Sequence, residues 1–254
     1  MEALFDPTRI YLLLLIFCRA GGLITILPVI SSAGVPVILR LALAMMLSVL
    51  IYALVPTLGA PPASIVLVIL GVMHEVVVGL LMGMAVRLIF YALEMAGQII
   101  ATEIGLIMSS SLDPITEGVS SPPTQMLAYF GAVIFFACGA HHAVIFAFAR
   151  SFELVPAAAG NFDPHVVDVV VAESGKIFLL AVQMSAPLIA INFLVNFSLA
   201  LLSRAAPTIN AFALSQSVQI IAGLALLSMS LGLTAHYLLS GLGEVPELML
   251  RFVR

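Results

Sequence analysis

Charge is what this sequence has least of: nine Lys+Arg and 13 Asp+Glu stand among 254 residues, and Lys176 is the single lysine. With a net charge of −4 and no basic cluster, nothing in it suits a phosphate backbone or an anionic membrane surface, so nucleic acid is set aside as a partner. Tryptophan is absent, and the two cysteines, Cys18 and Cys138, stand singly inside apolar runs. Neither a disulfide framework nor a Cys-x-x-Cys metal site is available, which leaves them as small buried apolar residues. The catalytic inventory is equally thin. His74-Glu75 is followed by three Val instead of the second His of a zinc-protease helix, and the side chains of the adjacent His141 and His142 point about 100° apart. No Gly-x-Ser-x-Gly turn and no phosphate loop occurs. No catalytic residue, metal ligand or cofactor site is therefore expected, and the chain reads as a non-enzyme.

What is abundant is apolar sequence. Hydrophobic residues make up 63% of the chain and charged ones 9%, with a mean hydropathy of +1.23, which is the composition of an integral membrane protein. Apolar runs cover Ile10 to Ile30, Val37 to Val55, Ile65 to Leu93, Met126 to Ala149, Ile177 to Leu202 and Ala211 to Leu239. Each is close to the roughly 20 residues of a spanning helix and apolar on every face, unlike the alternating strands of a membrane barrel. The expected fold is all-α, with about six long helices. Glu2 and Asp6 occupy the place of a signal peptide's basic region, so the first run is expected to be retained. If all six runs span, both termini share one side, and Arg251 and Arg254 put that side in the cytoplasm.

Several charges lie inside these runs, where each costs on the order of 3 kcal/mol unless protein or water surrounds it. Arg19 is followed by Gly21, Gly22 and Pro28, which predicts a break in the first helix with Arg19 satisfied by carbonyls or a neighbouring chain. Arg40, near the start of its run, is placed to snorkel to the interface. Glu75, Gly79, Gly83, Arg87 and Tyr91 recur every four residues, close to one helical stripe. The small pair Gly79/Gly83 lets another backbone approach, within this chain or from another subunit. Glu75 and Arg87 are about 18 Å apart along a helix, so each needs a partner from elsewhere. The polar Glu94, Gln98 and Glu103 follow, and a helix from Ile65 to Met108 either continues for about 65 Å or breaks near Gly97.

Next comes an 18-residue Ser/Pro-rich loop, Met108 to Gln125, which reads either as a moving closure tipped by Leu112 or as an exposed linker. Asp163-Pro164 predicts the start of a separate helix toward Gly175, docked near the membrane surface. Asn192 and Asn196, one turn apart on the fifth run, can hydrogen-bond across helices, and Pro187 predicts a kink.

These residues resemble the FliR/SctT family of type III export-gate subunits. Arg19, Gly22, Pro28, Pro36 and Arg40 fall in the order of the family's first hairpin; Glu75, Gly79 and Gly83 match its next helix; Gly97, Gly105 and Asp113-Pro114 match the Gly-rich helix and its Asp-Pro loop. Gly139, His141, Ser151, Pro156 and Pro187 follow. The most specific stretch is Arg204-x-x-Pro207-x-x-Asn210-x-Phe212. The family often has Gln where Glu103 and Thr208 stand and a Pro near Gln216.

The resemblance implies one membrane export-gate domain over 1–254. In it, helical hairpins (1–107 and 126–254) pack into a multi-subunit spiral, joined by a plug-like loop (108–125). It implies FliP-like and FliQ-like membrane subunits, an FlhB-like switch protein and unfolded secretion substrates as partners, and a place in the bacterial inner membrane and flagellar basal body. Met108, Ser109, Ser110, Ser111, Leu112, Asp113 and Pro114 would plug the channel. Arg19, Pro28, Arg40, Glu75, Gly79, Gly83, Arg87, Arg204, Pro207, Asn210 and Phe212 would serve subunit packing and structure. Features of both flagellar and injectisome members are present, with the flagellar reading preferred. From another class, a stand-alone permease would line a site with His74, Glu75 and Arg87.

Overall fold

The computed structural model describes residues 6–32, 34–56, 62, 64–106, 121–158, 165–205 and 211–253, the side chains of 211–216 excepted. Among these residues there are seven helices and no strand: α1 (Pro7–Ile26), α2 (Val37–Tyr52), α3 (Ile65–Ile104), α4 (Pro122–Ala137), α5 (Ala140–Leu154), α6 (His165–Ala205) and α7 (Ala211–Arg251). Four are long and apolar enough to cross a membrane, and five if the bent α4/α5 pair is one span.

Six apolar runs become seven helices because the fourth breaks at Gly139, whose φ of +73° is left-handed and turns α5 by 68° from α4. The second run yields only 16 helical residues. Pro56 bars helical geometry at Val55, so α2 ends short of a full bilayer span. The expected break in α1 does not occur, and of the two readings of the third run the continuous helix is the one found. α1 continues through Gly21 and Gly22, and α3 continues through Gly97 for 40 residues, about 60 Å. The separate surface helix expected before Gly175 is instead the first part of α6, one 41-residue helix that includes Pro187; its proposed cap, Asp163-Pro164, lies outside the described residues.

Capping follows local chemistry. Asp6 accepts a hydrogen bond from the Thr8 amide at 3.1 Å, with Pro7 at the first helical position. Ser121 precedes Pro122 and Pro123, and its hydroxyl lies 2.8 Å from Thr124 Oγ1. α4 thus begins four residues before the apolar run does.

The chain forms two compact units. One comprises the described residues up to Leu88, Gly139–Glu173 and the chain from Leu242; the other comprises Ile89–Cys138 and Ser174–Gly241. In the first, α1 and α3 touch backbone to backbone. A Cβ on Gly22 would lie 2.6 Å from the Val76 carbonyl oxygen, one on Gly83 2.8 Å from the Leu23 oxygen, and one on Gly79 would overlap the Arg19 carbonyl. In the second unit, Gly97 meets the Thr124 backbone and Gly131 makes room for Leu93. Since lipid is as apolar as leucine, such close approach, and not burial from water, is what drives apolar helices together.

Gly22 and Gly21 therefore separate by contact. Gly21→Ala, with nothing within 4 Å of the new Cβ, is expected to be neutral or stabilising by up to about 1 kcal/mol. Gly22→Ala and Gly79→Ala are expected to destabilise by about 1–3 kcal/mol, measured by thermal unfolding of the purified protein.

Candidate functional site

The chemistry of the first unit is concentrated on Arg19. It faces α3 from the middle of α1, and both it and Glu75 are fully buried. Arg19 Nε donates to Glu75 Oε2 at 2.5 Å and Nη2 to Oε1 at 3.1 Å, a planar fork on a carboxylate. Nη1 donates to Ser151 Oγ at 3.0 Å, and Nη2 also donates to the Val155 carbonyl oxygen at 3.0 Å, both at the end of α5. The guanidinium carbon stands 3.9 Å from the centre of the Phe152 ring. Glu75 in turn accepts the Ala158 amide at 3.0 Å, and His74 Nδ1 lies 3.6 Å from Glu75 Oε1.

The ion pair thus joins α1 to α3 and holds both ends of the turn 155–158 after α5. Ala158 adopts φ +63°, the one described non-glycine residue at positive φ, and the Glu75 bond to its amide helps hold it there. Glu75 has both oxygens engaged and no exposure, which makes it a structural anchor rather than a group open to substrate or water. Among the described residues no group of three or more His, Cys, Asp or Glu could hold a metal ion.

The four-residue stripe on α3 does not stay on one face. At 100° per residue, each step of four drifts by about 40°, so Tyr91 sits about 160° round from Glu75. Glu75, Gly79 and Gly83 are buried against α1, Arg87 is half-buried, and Tyr91 is exposed. Arg19, the partner that Glu75 lacked, lies 56 residues earlier and in the same chain. Arg40 also turns inward to backbone: its Nη2 donates to the carbonyls of Ser32 and Val35, closing the turn that begins at Pro28. Arg204 is exposed in the last turn of α6, where a cation complements the helix dipole. Asn192 and Asn196 do bond across helices, to Glu103 on α3 and Gln219 on α7. Met108–Pro114, Pro207 and Asn210, and the Phe212 side chain in the first turn of α7, lie outside the described residues. Phe152, Val155 and Ala158 were not legible as site residues: two act through backbone, and nothing local marks Phe152.

Arg19→Met, which strands a buried carboxylate, is expected to destabilise by about 3–5 kcal/mol, and Glu75→Met likewise. The double substitution should recover much of the loss, measured as a double-mutant cycle in thermal unfolding. Ala158→Gly should stabilise by about 1 kcal/mol by relieving the left-handed backbone.

The chain matches the family described as "Bacterial export proteins, family 1" over residues 10–245. It is similar to flagellar biosynthetic protein FliR of Caulobacter vibrioides, 29% identical over 232 residues that cover 91% of this chain and 92% of that one. Yop proteins translocation protein T of Yersinia pestis is 33% identical over 218 residues, 84% of this chain and 82% of that one. FliR of Bacillus subtilis is 29% identical over 213 residues, 82% and 81% of the two chains.

Proposed function

The chain belongs to the FliR/SctT family of bacterial export proteins, and from that premise we propose that it is a subunit of the flagellar type III export gate, part of the inner-membrane channel that passes unfolded flagellar proteins. The observation that carries this reading is breadth: the family match runs from residue 10 to 245, and a flagellar relative aligns over nine-tenths of both chains. Transport, not catalysis, is the task. The proton-motive force and a separate ATPase supply the energy.

The surface supports assembly with FliP-like and FliQ-like membrane subunits and an FlhB-like switch protein. Ile38, Met46 and Leu50 on α2, Leu54 in the turn after it, and Phe193, Phe197 and Leu201 on α6, are large apolar side chains left exposed. Lipid or neighbouring subunits must cover them. The buried ion pair of the first unit, by contrast, is matched inside the chain, so Arg19 and Glu75 serve assembly by holding α1, α3 and α5 in shape. The segment 108–125, between hairpin regions 1–107 and 126–254 and with its last four residues in the first turn of α4, carries the plug: Met108, Leu112 and their neighbours seal the channel until an unfolded substrate displaces them. A second reading, an injectisome subunit, is favoured by the 33% identity with the Yersinia pestis protein.

Native mass spectrometry of the gently extracted protein is expected to show one copy with several copies of two smaller membrane proteins; a lone chain or homo-oligomer rejects the gate. Deleting 109–112 should make the assembled pore leak ions, and an unchanged conductance removes the plug. Loss of swimming in a strain lacking this chain supports the flagellar system. Lost effector secretion with intact swimming moves it to the injectisome.

A further inference from the structure

A second meeting of polar side chains lies where α3 ends, in the other unit. Glu103, in the last turn of α3, accepts a hydrogen bond from Asn192 Nδ2 on α6. One turn further along α6, Asn196 Oδ1 accepts Gln219 Nε2 of α7 at 2.5 Å. The other side-chain atom of Gln219, Oε1, faces back to the end of α3: a Cβ built on Gly105, where φ is +79°, stands 3.9 Å from it. Gly223 lets α7 come this close, because the Ile104 side chain fills the space a Cβ there would need. Glu103, Asn192 and Gln219 line a cavity of about 10 Å³, room for about one water or small ion. Its remaining walls are mainly apolar, among them Ile104, Leu188, Ile191 and Leu226.

Among the described residues that line the cavity, Glu103 is the one charge. A carboxylate in the last turn of a 40-residue helix sits at the negative pole of that helix, and α3 has no basic residue there to oppose it. Basic residues on the three helices are remote by helical rise. Arg87 is about 24 Å before Glu103, Lys176 and Arg204 are about 24 and 18 Å from Asn192, and His236 is about 26 Å beyond Gln219. Among the described residues the one hydrogen bond to Glu103 is that from Asn192, which offsets only part of the desolvation of a carboxylate.

We propose that Glu103, Asn192 and Gln219 form a binding site for one monovalent cation of about sodium size. The carboxylate supplies the single opposing charge, and the amide oxygens supply neutral hard donors that take the place of water. Asn192 presents its oxygen by rotating its amide. The carbonyl end of α3 adds a field of the same sign. A bound ion joins the end of α3 to α6 and α7, so occupancy stabilises that junction. The site rests on residues of this chain and stands apart from the export reading.

The test uses the full-length protein purified in detergent without sodium. Radioactive ²²Na⁺ should be retained at one ion per chain, displaced by unlabelled sodium and not by choline. Glu103→Gln, which removes the charge and keeps the size of the side chain, should weaken retention by about tenfold or more. NaCl should raise the Tm of the unaltered protein above its value in choline chloride at equal ionic strength, and this rise should vanish in the variant. Equal retention by both proteins, or a Tm indifferent to sodium, overturns the proposal. So does a Tm that follows pH but not sodium and loses that response in Glu103→Gln, which would assign a proton to Glu103. Asn192→Ala keeps the charge and removes an oxygen donor; if Glu103→Gln does not fold, unchanged retention by Asn192→Ala overturns the site.

Discussion

A guanidinium and a carboxylate, both closed off from solvent, set the terms for the first unit of this protein. Neither Arg19 nor Glu75 could remain in apolar surroundings alone, and the fork between them is completed by Ser151, the Val155 carbonyl and the Ala158 amide. The pair depends on a second constraint. Arg19 reaches Glu75 because α1 and α3 lie close enough for backbone contact, which Gly22, Gly79 and Gly83 allow. Charge and close approach therefore stand or fall together. A side chain at Gly79 would push away the residue whose guanidinium neutralises Glu75 one turn earlier.

Two kinds of surface result. Inside, the polar atoms of the clamp are satisfied by one another, and the backbone of the 155–158 turn is drawn into the same network. Outside, α2 and α6 present long rows of Ile, Leu, Met and Phe. A chain that matches its buried charges internally and leaves its apolar faces uncovered is suited to a membrane assembly, because those faces need no polar partner, only lipid or another apolar helix. Membership of an export-gate family agrees with that division.

Much of the fold was legible for a simple reason. Runs of Leu, Ile and Val near 20 residues long have one satisfactory conformation in an apolar environment, since helices pair every backbone group within the segment. Glycine was the least legible residue. Gly21-Gly22 read as a break and Gly97 as a break or as part of a continuous helix; in the folded chain both helices run on, and Gly22 and Gly97 are contacts. Gly139, by contrast, does break its run, through a left-handed backbone. The same residue type marks both outcomes because what a missing Cβ permits is decided by what lies opposite.

From the sequence alone came the membrane class, the helical content, the demand of Glu75 for a distant partner and the ability of Asn192 and Asn196 to bond across helices. These follow from composition, helical rise and the penalty on isolated charge, all of which are local properties. Only the tertiary structure decided that the partner of Glu75 is Arg19, that Ser151 and two backbone groups complete the site, and that Glu103 meets Asn192 at the end of α3. Those pairings join residues 56 to 136 positions apart, and no periodicity along the chain encodes which faces of separate helices will meet.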